Sequence, residues 1–243
     1  MLIRECRSGD IGQCKKIWLD CFPEDTDFCG YYFDSVHPFG KALVCETENG
    51  IASYLNIIPF TADYFGSELK CSYIYGVSTD PKYRKKGYMR ALINRTHNIC
   101  ANDSFTFLVP SVSGIYEKFG YKKISEHRSA DINFGGSDRK ICNDLQHLNM
   151  IYDGFRKKFG LSLRRSEKWW KFIYHTALAD GFRFIANDGA YAIICGDEIS
   201  EIAYVSEKYR DCLDIGGKVL TMPQVMARGN IDFNNNYIAM LLD

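Results

Sequence analysis

The chain has 243 residues, 46% of them hydrophobic, enough for a substantial core in one large domain or two small ones and too much for a disordered chain. Its 30 basic residues balance its 30 acidic ones, so overall charge points to no nucleic acid, anionic membrane or strongly acidic partner, and any phosphate recognition must be local. The ten cysteines form no CxxC pair or repeated framework, and no signal-peptide stretch or run of about 18 apolar residues occurs; we expect a cytoplasmic protein with free thiols, no metal and no membrane span.

A short strand is expected near residues 2–6. Ile11, Cys14, Ile17, Trp18 and Cys21 then recur at helical spacing, with Ser8 or Asp10 as cap and an end by Pro23. A second helix over about 24–36 carries Phe28, Tyr31, Tyr32 and Phe33 toward a core or a substrate cleft. The apolar runs 42–45 and 51–58 flank Glu48-Asn49-Gly50, a strong hairpin signal, and 71–79 adds a third antiparallel strand. Met89, Leu92, Ile93, Thr96 and Ile99 mark a helix, followed by a buried-type strand at 105–109, a short helix at 115–119, a stop at Gly120 and a strand from Tyr121. The order is β-α-α-β-β-β-α-β-α-β.

Gly135-Gly136-Ser137-Asp138 reads as a linker closing a first domain at 1–136. A second unit over 142–230 opens with helices at about 142–159 and 166–178, the latter rich in Trp169, Trp170, Phe172 and Tyr174. A hairpin around Asn187-Asp188-Gly189 and a strand at 199–205 follow, and 231–243 is a short tail. Two helices followed by three strands echo the first unit, without a residue-by-residue repeat.

The stretch Gly76-Val77-Ser78-Thr79-Asp80-Pro81-Lys82-Tyr83-Arg84-Lys85-Lys86-Gly87-Tyr88-Met89-Arg90 passes from a strand through a basic turn into a helix. The first amides of a helix lack intrahelical acceptors and its dipole favours negative charge, so this is a site for a phosphate; Gly87 permits close approach and Pro81 fixes the turn. An Arg-x-x-Gly match alone also fits a solvated basic turn. A second segment, Val109-Pro110-Ser111-Val112-Ser113-Gly114-Ile115-Tyr116-Glu117-Lys118-Phe119-Gly120-Tyr121, follows at a fixed remove.

Together the two segments resemble the coenzyme A motif and the later Tyr-x-x-x-Gly-Tyr motif of the GNAT superfamily of N-acetyltransferases, although Met89 stands where that motif ends in Gly or Ala. The pattern is similar to the Eis-type (enhanced intracellular survival) acetyltransferases over about residues 1–230, and Pro223–Arg228 resembles the junction that leads there into a sterol-carrier-like domain, for which 229–243 is too short. The resemblance implies an α/β (α+β) GNAT fold, a central mixed sheet with flanking helices, followed by a degenerate GNAT-like second lobe. It implies transfer of acetyl from acetyl-coenzyme A to a primary amine of a small molecule or peptide, without metal or nucleic acid, and leaves a homo-oligomer open.

By the same resemblance Val77, Ser78 and Thr79 align pantetheine through their main chain, Arg84, Lys85, Lys86, Gly87, Tyr88, Met89 and Arg90 hold the pyrophosphate, Ser111 contacts the cofactor and Tyr116 is the catalytic acid. The strands at 51–58 and 71–79 offer no Asp, Glu or His as a base; in the Eis-type relatives the terminal carboxylate serves, which here is that of Asp243, and a relayed water is the other route. His37, His97 and His127 sit singly and read as core or surface residues. The alternatives to acetyl transfer are a non-catalytic acyl-coenzyme A-binding protein and an aminoacyl transferase of the double-GNAT type.

Overall fold

A computed structural model of the chain describes residues 1–112, 114–125, 130–138, 140–219 and 225–238. In chain order its elements are β1 (Leu2–Glu5), α1 (Ile11–Cys21), α2 (Thr26–Ser35), β2 (Lys41–Thr47), β3 (Gly50–Tyr64), β4 (Ser67–Thr79), α3 (Tyr88–Ile99), β5 (Phe105–Leu108), β6 (Lys122–Lys123) and β7 (Ala130–Gly135). There follow α4 (Leu145–Arg156), β8 (Leu161–Leu163), α5 (Glu167–Ala179), β9 (Arg183–Ala186), β10 (Ala190–Cys195), β11 (Glu198–Tyr204), α6 (Glu207–Asp211), β12 (Asp214–Val219), β13 (Met226–Gly229) and β14 (Asn236–Tyr237). Two compact units divide the chain: residues 1–61, 69–122 and 226–231 form one, and the described residues of 62–68, 123–225 and 232–243 the other. Among the described residues no helix is long and apolar enough to cross a membrane.

In the first unit the strands lie in the order β1-β2-β3-β4-β5-β13-β6, antiparallel from β1 to β3 and parallel between β4 and β5. Alternation along the strands sorts the side chains onto two faces. Leu43, Cys45, Leu55, Ile57 and Ile74 join Leu92 and Ile93 of α3 in one apolar cluster. The intervening Tyr54 and Tyr75 meet Trp18 of α1 and Tyr32 and Phe33 of α2 through their rings. Each fully buried aliphatic side chain here contributes on the order of 1.5–3 kcal/mol. Asp10, not Ser8, organises the start of α1: its carboxylate accepts from the Arg7 amide at 2.7 Å and pairs with Arg4 at 2.6 Å.

The helix expected at 115–119 is a single 3-10 turn, Glu117–Phe119, ended by Gly120 in the left-handed conformation (φ 84). Strand Met226–Gly229, read from sequence as part of the second unit, instead pairs antiparallel with β5 from Met226↔Leu108 to Gly229↔Phe105.

In the second unit a sheet in the order β7-β12-β11-β10-β9 carries the hairpin expected around Asn187, whose side-chain oxygen accepts the amides of Gly189 and Ala190. The expected linker is part of this fold. Residues 130–135 are strand β7, Asp138 bridges to Leu213, and a Cβ on Gly136 would lie 2.1 Å from the Cys212 carbonyl oxygen, so the glycine marks close backbone packing. The hairpin tip between β3 and β4 also belongs here, with positive φ at both Phe65 (47°) and Gly66 (87°) as a two-residue turn requires. Beside it Asp63 is hydrogen-bonded by Arg164 and Arg156, which hold its carboxyl down to about 2.

The core of this unit contains a buried ion pair. Arg165 reaches both Glu201 oxygens at 2.8 Å, and the hydroxyls of Tyr191 and Tyr237 donate to the same carboxylate at 2.7 Å. The guanidinium lies 4.0 Å from the ring centre of Tyr152.

Candidate active site

The basic turn is built by local chemistry. Asp80 accepts the Lys82 amide through its side chain at 2.9 Å, Pro81 starts a 3-10 turn to Tyr83, and the chain then passes Lys85 (φ 63) and Gly87 (φ 88) in left-handed conformation before entering α3. Gly87 is the N-cap and has no side chain to satisfy the helix amides. Ala91 is the first residue of α3 to close a bond back, to Gly87 O at 3.0 Å. Among the described residues no acceptor meets the amides of Tyr88, Met89 and Arg90. A Cβ on Gly87 would have no atom within 4 Å, so the cap position itself is open. Arg84, Lys85, Lys86 and Arg90 are exposed around it, a cationic patch in a chain of zero net charge. Arg84 folds back onto Thr79 O (3.3 Å) and Cys21 Sγ (3.5 Å), and Lys86 lies over the Tyr83 ring. An uncapped set of amides beside an open cap glycine, with cations around it, fits a diphosphate.

Strand β4 presents the second component. Its pairing with β5 runs from Cys71↔Phe105 to Tyr73↔Phe107, after which β5 ends at Leu108, Pro110 can donate no amide, and β4 runs on to Thr79 with no partner strand on that side among the described residues. Gly76, at φ 62, kinks β4 within this stretch, and a Cβ there would lie 2.3 Å from Cζ3 of Trp18. Val77 is half-buried against the same apolar cluster as Tyr88, Met89 and Tyr116, so the structure brings these four together. Ser78 is buried with its hydroxyl unpartnered among the described residues, while its carbonyl accepts from Ser53 Oγ at 2.7 Å. Thr79 Oγ1 lies 2.8 Å from that same Ser53 oxygen. Ser111 is exposed in the bend after β5.

Tyr116 is buried on this cluster, edge-on to Tyr121 with ring centres 6.1 Å apart. Burial, and to a lesser degree Tyr121, push its phenol well above the ordinary tyrosine value, so it remains protonated through the neutral range. Among the described residues its hydroxyl has no hydrogen-bond partner.

Sequence reasoning did not single out Gly76, Trp18 or Asp25. Trp18 stacks on Tyr32 at 4.5 Å, lies 5.6 Å from Tyr75 and 5.4 Å from Phe22, and donates Nε1 to Asp25 Oδ2 at 3.1 Å. Burial raises the Asp25 carboxyl above its usual range, against the Trp18 hydrogen bond. The kinked strand thus has an aromatic cluster bearing a carboxylate beside it. The signals were a glycine inside a strand and a Trp on the buried face of α1, each silent about the other. Asp243 and His127 lie outside the described residues. Burial, with Arg228 nearby, pushes His97 down to about 4, so its imidazole is neutral at pH 7.

Residues 2–124 match the sequence model of a family described as an acetyltransferase (GNAT) domain. No curated protein sequence matches the chain. Among solved structures, a probable N-acyltransferase from Enterococcus faecalis V583 is similar over 93% of this chain and 72% of its own, with a TM-score of 0.76 at 13% identity. Eis1 from Mycobacterium abscessus gives a TM-score of 0.72 at 14% identity, over 94% of this chain and 73% of its own. A GCN5-related N-acetyltransferase from Anabaena variabilis ATCC 29413 gives 0.70 at 17% identity, over 95% and 67%. At these identities the likeness is one of fold.

Proposed function

Because this chain belongs to the GNAT acetyltransferase family, we propose that it moves the acetyl group of acetyl-coenzyme A to a primary amine of a small molecule or peptide, by direct attack of the amine on the thioester. When bound, acetyl-coenzyme A supplies an activated acetyl group and a diphosphate by which to hold it. The amides of Tyr88, Met89 and Arg90, with Arg84, Lys85 and Lys86 around them, take the diphosphate. The main chain of Val77, Ser78 and Thr79, on the side of β4 that β5 has left, aligns the pantetheine arm. An amide near Val77, turned by the kink at Gly76, polarises the thioester carbonyl as an oxyanion hole does. Tyr116 protonates the departing sulfur, a task suited to a phenol that burial keeps neutral. Ser111 contacts the cofactor from the loop after β5.

The acceptor amine approaches the rim of the Trp18 ring cluster at the half-buried Asp25 carboxylate. A ring cluster with one carboxylate attracts a cationic group, and the raised carboxyl of Asp25 equips it to accept the ammonium proton before attack. This supplies a base that neither strand offers.

The observation that carries the reading is the start of α3: a left-handed Gly87 with open space at its Cβ position, no side-chain cap, and helix amides without an acceptor among the described residues. Titration calorimetry of acetyl-coenzyme A against the wild type and a Lys85→Ala, Lys86→Ala pair tests it. Loss of two charge-assisted contacts should weaken binding by about 1–3 kcal/mol, and an unchanged affinity would refute the assignment. Thiol release in the presence of polyamines, aminoglycosides and lysine peptides then tests transfer, which requires that release depend on the amine.

A further inference from the structure

Of the ten cysteines, Cys6 and Cys14 are the two whose sulfurs are in contact among the described residues, 3.9 Å apart. They differ in the way an attacking and a resolving thiol must. Cys6 follows β1, is half-buried, and is held by its amide to Ala42 O at 2.9 Å. Cys14 is fully buried on the inner face of α1, beside Ile17 and Trp18. The hydrogen bond the two sulfurs share, in which either can donate, together with the neighbouring His37 imidazole, draws the Cys6 thiol below its ordinary value against burial and the charge of Asp10; Cys14 is driven the opposite way. Among the described residues no three His, Cys, Asp or Glu side chains converge as a metal site, so the pair belongs to no larger ligand set.

We propose that Cys6 and Cys14 form a hydroperoxide-reactive dithiol, with Cys6 the sulfur that is oxidised and Cys14 the sulfur that resolves it. The Cys6 thiolate attacks one peroxide oxygen, the O–O bond breaks, and the departing oxygen leaves as water with a proton from solvent, giving a sulfenic acid. Cys14 sulfur then attacks Cys6 sulfur, the S–O bond breaks, and hydroxide leaves as water with the Cys14 proton. Two thiols and one hydrogen peroxide give one disulfide and two waters. Closure must bring the sulfurs from 3.9 Å to about 2.05 Å.

The test uses the full-length reduced chain, treated with hydrogen peroxide, alkylated, and digested with trypsin without reduction. Trypsin cuts after Arg4, Arg7 and Lys15, so a Cys6–Cys14 bond joins peptide Glu5–Arg7 to peptide Ser8–Lys15. We expect this linked species, two hydrogens lighter than its free parts and separated again by dithiothreitol. In Cys14→Ser, dimedone should trap a sulfenic acid on Cys6. Cys6 remaining alkylatable under peroxide that oxidises the exposed Cys212, or pairing with another cysteine, would overturn the proposal; so would a dimedone adduct on Cys14 in Cys6→Ser with none on Cys6 in Cys14→Ser. Wild-type mapping decides the matter even if either variant folds poorly.

Discussion

Replacing Gly76 with alanine perturbs the kink of β4 in two separable ways. The left-handed backbone at φ 62 disfavours any side chain by about 1–2 kcal/mol. The new methyl would also lie 2.3, 3.1 and 3.2 Å from Cζ3, Cη2 and Cε3 of Trp18. That ring cannot retreat freely, because it is 2% exposed and packed against Phe22, Tyr32 and Tyr75. Overpacking of this kind costs about 1–3 kcal/mol, so the loss should total about 2–5 kcal/mol. Urea unfolding of Gly76→Ala in the wild type and in Trp18→Phe divides the sum. With the shorter ring only the backbone part, about 1–2 kcal/mol, should remain. A loss below about 0.5 kcal/mol, the range of an ordinary surface change, would refute both parts of the reasoning, and an equal loss in the two backgrounds would refute the steric part.

Tyr116→Phe should lower the rate of acetyl transfer by about a hundredfold, within the range of general-acid catalysis, while calorimetry shows acetyl-coenzyme A affinity unchanged. Glu201→Gln removes a charge that Arg165, Tyr191 and Tyr237 all address inside the second unit; denaturant titration should show a loss of about 3–5 kcal/mol. Asp63 has a folded value lowered to about 2 by Arg164 and Arg156. Its contribution is therefore present above the unfolded value near 3.9 and lost as pH falls toward 2; it amounts to at most about 2 kcal/mol at this partly exposed site. Stability curves of the wild type and Asp63→Asn should converge over that interval and separate above it.

The parts of the fold legible in sequence were those encoded by neighbours in the chain. Asn49-Gly50 marks its hairpin, and the period of Leu92, Ile93 and Thr96 marks α3, because turn chemistry and helical spacing are local. The turn at Phe65-Gly66 was not legible: Phe has no turn preference, and its positive φ is imposed by the two long strands it joins. Gly136 read as a linker because a glycine needed for flexibility and one needed for close packing are the same letter; only Cys212, far along the chain, separates the two meanings. The same holds at the candidate site. Gly87 and Tyr116 stood out as motif positions, whereas the relation of Gly76 to Trp18 and of Trp18 to Asp25 arises from folding across α1, α2 and β4. Asp25 was overlooked because a base was sought on strands, and it lies just before a helix.

The pairing of β13 with β5 has a consequence for the order in which the chain is made. All four residues of β5 are buried, and Met226 of β13 completes the cluster that contains Tyr116 and Leu108. About 120 residues separate Leu108 from Gly229, so at ~5–20 residues per second one side of β5 waits about 6–24 s on the ribosome for its partner. Throughout that interval Phe105, Phe107 and Leu108 form an apolar, hydrogen-bond-hungry edge of the kind that recruits other chains. A fragment ending near residue 136 would keep that edge permanently. The family-matching segment thus belongs to a sheet one of whose strands is made only after residues 123–225 have been synthesised.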